Sequence, residues 1–238
     1  ELARTLDKSA SHSREAFRKL CELGVTALAV PEEYGGSGVD ILSAIVVIEE
    51  LAKRGTSLAG PFIHCAFYGA LNILENGNEA QNADLLPKFA RGEILFAYGL
   101  SEPDVGGDLA SATVTATLNP DGKSVVINGT KRWVTGARIA DYVYTLVRSG
   151  PKAERYGNLS LVLVPTNSSG LTIVDIDHIG LRYAETTDVI FDDVTVPVEN
   201  IVGGPEAWNK GWPMLVGRGL DIERLEITIE RHGLRRAQ

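Results

Sequence analysis

Tyr98-Gly99-Leu100-Ser101-Glu102-Pro103-Asp104-Val105-Gly106-Gly107-Asp108, followed by Lys131-Arg132-Trp133-Val134-Thr135, decides how this chain reads. Each piece has the make-up of a strand end whose backbone groups and hydroxyls face a flat ligand with polar edges. The first runs into Gly106-Gly107, which removes side chains where something bulky approaches the main chain. The second sets a large aromatic ring beside the Thr135 hydroxyl, with Lys131 and Arg132 just upstream.

Working outward, the text on either side of these pieces is β-rich from Ile94 to Val202. Short runs at Ile94–Leu100, Ala112–Leu118, Ser124–Ile127, Lys131–Thr135, Tyr142–Val147, Ser160–Val164, Leu171–Ile176 and Val189–Phe191 alternate with turn signals. Asn119-Pro120-Asp121-Gly122 and Asn128-Gly129 are two of those signals, and both are expected to be turns. Strands this short and this regularly spaced predict a barrel or sandwich of about a hundred residues.

Upstream, the pattern is helical. Asp40 to Arg54 carries apolar residues at 41, 42, 45, 48, 51 and 52, a broad helical face, with Asp40 as its N-cap. Ser11 to Leu23 repeats the pattern and stops at Gly24, a C′ glycine. Further helices are expected over about 61–75 and 79–90, and Pro31 to Gly38 must be a loop. Downstream, a helix is expected from about 206 to 233, and it needs another surface on which to bury its apolar face.

Composition narrows the class. The 238 residues are 44% hydrophobic and 23% charged, which fits a globular chain with a sizeable core. No apolar run approaches the roughly eighteen residues of a membrane span. The first residues, Glu1 to Asp7, lack a secretory h-region. Cys21 and Cys65 are too few for a disulfide framework or metal cluster, so a reducing cytoplasm fits best. A formal net charge of −8 with no basic block argues against a nucleic-acid surface. Val105-Gly106-Gly107-Asp108 is not a dinucleotide fingerprint, because no βαβ unit surrounds it.

Taken together, the motifs resemble the acyl-CoA dehydrogenase family over about residues 20–228. Pro31-Glu32-Glu33-Tyr34-Gly35-Gly36 is similar to the family's early loop, and Leu85-Leu86-Pro87 through Gly92-Glu93 to its linker into the β domain. Ile179-Gly180-Leu181-Arg182 and Val196-Pro197-Val198-Glu199-Asn200 are similar to its late strands. The resemblance implies an α+β fold: an N-terminal helical domain at 1–93, a middle β-barrel or sandwich domain at 94–205, and at 206–238 the start of a C-terminal helical domain whose remainder is absent. It implies FAD as cofactor, an acyl-CoA thioester as substrate, an electron-transferring flavoprotein or similar acceptor, and a homo- or hetero-oligomer.

Carried over residue by residue, the resemblance places Tyr98, Leu100 and Ser101 along the flavin, with Gly106 and Gly107 at its approach. Trp133, Val134 and Thr135 would lie beside the ring, Trp133 stacking near it and Thr135 bonding its reactive nitrogen side. Fixed donors at that edge stabilise the charge that develops on reduction. Read alone, Trp133 is a core aromatic and Ser101 a turn hydroxyl. Gly107 also stands where the family usually has a serine, and so lacks that hydroxyl toward ligand. In Leu220-Asp221-Ile222-Glu223-Arg224-Leu225, the resemblance puts Asp221 and Arg224 on the acyl-CoA. Glu223 matches the catalytic glutamate of isovaleryl-CoA and long-chain types, a base for the α-proton; its alternative is a solvated glutamate beside Arg224. Two rival functions remain: a non-catalytic subunit of the same shape, and a flavin monooxygenase or oxidase on the same fold.

Overall fold

A computed structural model describes residues 5, 14–54, 56–179 and 185–216. Helix α1 (Arg14–Cys21) ends where Gly24 takes φ 76° and donates its N–H to the Cys21 carbonyl, a left-handed stop that glycine makes without strain. Helix α2 (Ile41–Arg54) begins at the predicted cap: the Asp40 carboxylate accepts from the Ser43 N–H at 3.0 Å and from the Ser43 hydroxyl at 2.5 Å. Helix α3 (Thr56–Cys65) passes through a π-helical turn (Ala66–Leu71) into α4 (Asn72–Asn76). Helix α5 (Glu79–Ala90) starts with a reciprocal capping box between Asn78 and Gln81.

The β region forms one curled sheet. Among the described residues its strands are β1 (Phe96–Gly99), β2 (Thr115–Leu118), β3 (Ser124–Thr135), β4 (Tyr142–Arg148), β5 (Leu159–Pro165), β6 (Leu171–Asp175) and β7 (Thr186–Pro197). The order runs β1-β4-β2-β3-β7-β6, with β5 on the other side of β4. Strands β1 and β2 share one edge of β4, β1 beside its start and β2 touching its end at Arg148. After β7 the chain returns to β5, where Val202 donates its N–H to the Leu161 carbonyl.

Both faces of β4 and β5 are buried, and their residues sort by face with a period of two. On β4 and β5, Tyr144, Leu146, Leu159, Leu161 and Leu163 join Phe62, Ile73, Leu86 and Phe89 of the helices in one core. Val143, Val147, Val162 and Val164 face the other way and meet Val125, Ile127, Val189, Phe191 and Val194 inside the curl. Long and aromatic side chains reach the helices, while β-branched valines fill the narrower interior. This is why β4 and β5 read as continuous apolar runs instead of alternating ones.

One expectation is overturned. Asn128-Gly129 is not a turn; it lies inside β3, which joins two expected strands into one of 12 residues. Opposite it, β7 carries an extra residue between Phe191 and Val194, a bulge. The Asn128 amide bonds Asp193 twice at 2.9 Å, once through its Nδ2 to the Asp193 carboxylate and once by accepting the Asp193 N–H. Gly129 adopts φ 128° against Val114, whose Cγ2 would lie 3.0 Å from an added Cβ. Asparagine and glycine therefore fit a bend within the ladder here. Strand β7 is likewise 12 residues long, well beyond the three expected at 189–191.

Downstream, α6 (Gly211–Val216) falls within the helix expected from about 206. Among the described residues, no helix is long and apolar enough to cross a membrane.

Candidate functional site

The second half of β3 breaks the rules that its first half obeys. Between Lys131 and Val134 the strand carries one residue more than β7 beneath it. In that bulge Trp133 takes φ 61°, a left-handed conformation uncommon for a bulky residue, and stands 55% exposed. The Arg132 guanidinium lies over its ring, 4.9 Å from the centroid. Arg132 Nε and Asp188 Oδ1 form an ion pair at 3.7 Å, too long for a hydrogen bond, and both atoms are buried without a hydrogen-bond partner among the described residues. Val134 then returns to the core, its carbonyl accepting from the Thr187 hydroxyl at 2.8 Å, and Thr135 pairs with Thr186 at the strand end.

The Tyr98–Asp108 stretch lies beside it. The Arg132 N–H donates to the Ser101 carbonyl at 2.8 Å, which joins the end of β1 to the bulge. Glu102 and Val105 exchange backbone hydrogen bonds, closing the turn that leads into Gly106-Gly107. Neither glycine has a positive φ, and a Cβ on either would meet nothing within 4 Å. The protein's own packing therefore does not call for glycine at these two positions.

The residues picked out by sequence divide into three groups. Ser101 is joined to the β3 bulge that carries Trp133 and leads to Thr135, Gly106 and Gly107 follow the turn that begins next to Ser101, and Val134 turns its side chain into the core. The side chains of Tyr98 and Leu100 point away, into the core shared with the helices. Tyr98 stacks on Tyr68 with centroids 4.3 Å apart, and Asn72 bonds its hydroxyl. Asp221, Glu223 and Arg224 lie outside the described residues.

Sequence reasoning passed over a buried ion pair behind the bulge. Lys131 is wholly enclosed and its Nζ sits 2.8 Å from Glu102 Oε1. Burial pulls the Lys131 ammonium down to about 8 against the opposing pull of Glu102. For Glu102, burial raises the pKa, but Lys131 and the hydrogen bonds from Thr113 and Val114 outweigh it and hold the carboxyl below its usual range. A signal existed: with a period of two, Lys131 shares a face with the buried Val125 and Ile127, where a lysine needs a partner.

Arg148 is a second omission. Buried at the end of β4, it donates to four carbonyls, Ala110 at 2.5 Å, Gly157 at 3.1 Å, Ala112 at 3.3 Å and Glu154 at 3.4 Å. It thereby ties the segment after the glycine turn to the loop between β4 and β5. Arg155 of that loop reaches Asp108 at 2.8 Å. Among the described residues, no group of three His, Cys, Asp or Glu side chains is placed to hold a metal ion.

Comparison with known proteins gives these features a family. Residues 1–93 match the acyl-CoA dehydrogenase N-terminal domain, and residues 97–194 match the acyl-CoA dehydrogenase middle domain. A probable acyl-CoA dehydrogenase of Bacillus subtilis is 33% identical over 236 residues, 99% of this chain and 60% of that protein. Butyryl-CoA dehydrogenase from Megasphaera elsdenii superposes with a TM-score of 0.81 at 30% identity, covering 90% of this chain and 56% of the other. An acyl-CoA dehydrogenase complexed with FAD from Bacillus anthracis gives a TM-score of 0.75 at 32% identity, over 84% of this chain and 33% of the other. The chain belongs to the acyl-CoA dehydrogenase family. It spans between a third and three fifths of the length of these relatives.

Proposed function

We propose that this chain supplies the flavin-holding part of an FAD-dependent acyl-CoA dehydrogenase, which converts an acyl-CoA thioester to its trans-2-enoyl product. The observation that carries the reading is Trp133, a large apolar ring held at φ 61° in a bulge and turned outward. Folding alone does not favour this arrangement, since the backbone pays strain to expose apolar area. A flat aromatic ligand lying on the indole gives it a purpose. Two shielded atoms beside it that pair only with each other and make no hydrogen bond, and two glycines that the protein's packing does not need, fit the same ligand. Similarity to a relative solved with FAD supports flavin as that ligand.

FAD, when bound, supplies the acceptor for the hydride that leaves the β-carbon of the substrate. The chain's own residues have simpler tasks. Trp133 covers one side of the ring site, the main-chain N–H of Ser101 and the Thr135 hydroxyl face its polar edge, and Gly106-Gly107 leaves an approach for the thioester. Glu223 takes the α-proton, and Asp221 and Arg224 hold the acyl-CoA. An electron-transferring flavoprotein or similar carrier then collects the electrons. The active unit is an oligomer, with the remaining pocket walls coming from regions that this chain's relatives have and the chain itself does not span.

Purified protein should be yellow and should bleach when a short branched acyl-CoA is added without oxygen. Protein that stays colourless after FAD is supplied would favour a non-catalytic subunit instead. Oxygen uptake with NADH and a reductase, without bleaching by acyl-CoA, would favour a monooxygenase or oxidase. For the base, Glu223→Gln should leave acyl-CoA binding within about threefold and slow flavin reduction by roughly a thousandfold or more. Equal reduction rates in variant and parent would remove Glu223 from the mechanism.

A further inference from the structure

The Glu102–Lys131 pair is placed to do more than fill the space behind the β3 bulge. Lys131 Nζ donates to the Leu100 carbonyl at 2.9 Å as well as to Glu102 at 2.8 Å. The peptide between Leu100 and Ser101 is trans, so its carbonyl and N–H point in opposite directions. Fastening the Leu100 oxygen toward Lys131 therefore turns the Ser101 N–H away from the lysine and outward. Glu102 is fixed in turn: its carboxylate accepts the Val114 N–H at 3.0 Å, the Thr113 N–H at 2.8 Å and the Thr113 hydroxyl at 2.5 Å. Gly99 lies against the lysine stem and is held close to β4: a Cβ there would meet Lys131 Cγ at an ordinary contact of 3.5 Å but would press on Val143 Cγ1 at 2.8 Å. The pair thus bridges β1, β3 and the segment before β2.

We propose that Lys131 and Glu102 form a positioning pair for the cofactor: Lys131 aims the Ser101 amide at the ring edge, and the balance of the two buried charges sets the reduction potential of the bound flavin. This rests on the flavin reading above. Both groups are shielded from water, so each charge is felt over a longer range than at a surface. A reduced flavin carries more electron density than an oxidised one. A lysine left without its glutamate favours the reduced form, and a glutamate left without its lysine disfavours it.

The test uses the 238-residue chain with added FAD. Affinity is read from flavin fluorescence and the midpoint potential from an anaerobic dye-coupled reductive titration. Lys131→Met is expected to weaken FAD binding at least tenfold and to move the potential to more negative values. Glu102→Gln is expected to move it to more positive values. Opposite signs are the decisive reading, because a purely structural pair would shift both variants the same way or neither. The double variant Glu102→Gln with Lys131→Met removes both charges and serves if a single variant does not fold. It should keep a potential close to the parent's while still binding FAD at least tenfold more weakly, since the Leu100 carbonyl has lost its donor.

Shifts of the same sign in the two single variants, or parental affinity in the double variant, would overturn the proposal while leaving the flavin site intact. A parent chain that binds no FAD would overturn both together, and is recognised before any variant is made.

Discussion

The two halves of β3 are built on different principles. From Ser124 to Ile127 the strand alternates regularly, with Val125 and Ile127 wholly buried and paired in register with Val196 and Val194 of β7. From Lys131 to Thr135 it buries a lysine, exposes a tryptophan and inserts a residue into the ladder. The first half serves folding, and every local choice in it agrees with the core. The second half sets those choices aside within a few residues, as expected where a strand end is shaped for a ligand.

The sharpest way to break this comparison is to damage each half and see what is lost. Ile127→Ala removes a fully buried side chain and should cost about 2–5 kcal/mol in chemical denaturation. If the protein still folds, its FAD affinity should fall far less than its stability. A loss below about 1 kcal/mol would mean that the first half is not the anchor described here.

A smaller effect is expected where the helices meet β1. His64 is buried and its Nδ1 lies 2.8 Å from the Phe96 carbonyl, on the strand that leads into the site. Burial lowers its pKa from the ordinary 6.5, partly offset by that carbonyl. Below about pH 6.5 the unfolded chain takes up a proton that the folded one resists. Stability from this group is therefore complete above that pH and falls on acidification, by at most about 1.4 kcal/mol per pH unit. His64→Gln should flatten the acid limb of a melting-temperature profile between pH 7 and 5. An unchanged profile would show that the protonation of this interface histidine does not limit acid stability.

Trp133→Gly sharpens the contrast by reversing the sign. Glycine accepts φ 61° without strain, so stability should hold or rise by up to about 1 kcal/mol. FAD affinity should drop at least tenfold in the same protein. Destabilisation by more than about 1 kcal/mol would mark Trp133 as a folding residue. Smallest of all, Gly107→Ser adds the hydroxyl that the family resemblance leads one to expect, at a site where a Cβ meets nothing within 4 Å. Stability should stay within about 0.5 kcal/mol and ligand affinity should rise a few-fold, read by titration.

These contrasts also explain how much could be read in advance. The helix stops and caps at Gly24 and Asp40 were legible because each is decided by neighbours within four residues. Strands β4 and β5 were legible as apolar runs. Asn128-Gly129 misled because its local signal suits a hairpin, whereas the Asn128 amide is used by Asp193, 65 residues away. The site followed the same division. Trp133 and Ser101 stood out as a motif, but the Glu102–Lys131 contact spans 29 residues and exists only once β1 and β3 have come together. Nothing in the spelling of the chain foretold that Tyr98 would turn its ring to Tyr68.

The most direct test of the central claim is a crystal structure of the chain with FAD. The account predicts the isoalloxazine ring in van der Waals contact, about 3.5–4 Å, with the Trp133 indole, and the Ser101 N–H at its polar edge. Flavin bound elsewhere, or protein side chains filling the space over Trp133 at saturating FAD, would contradict it.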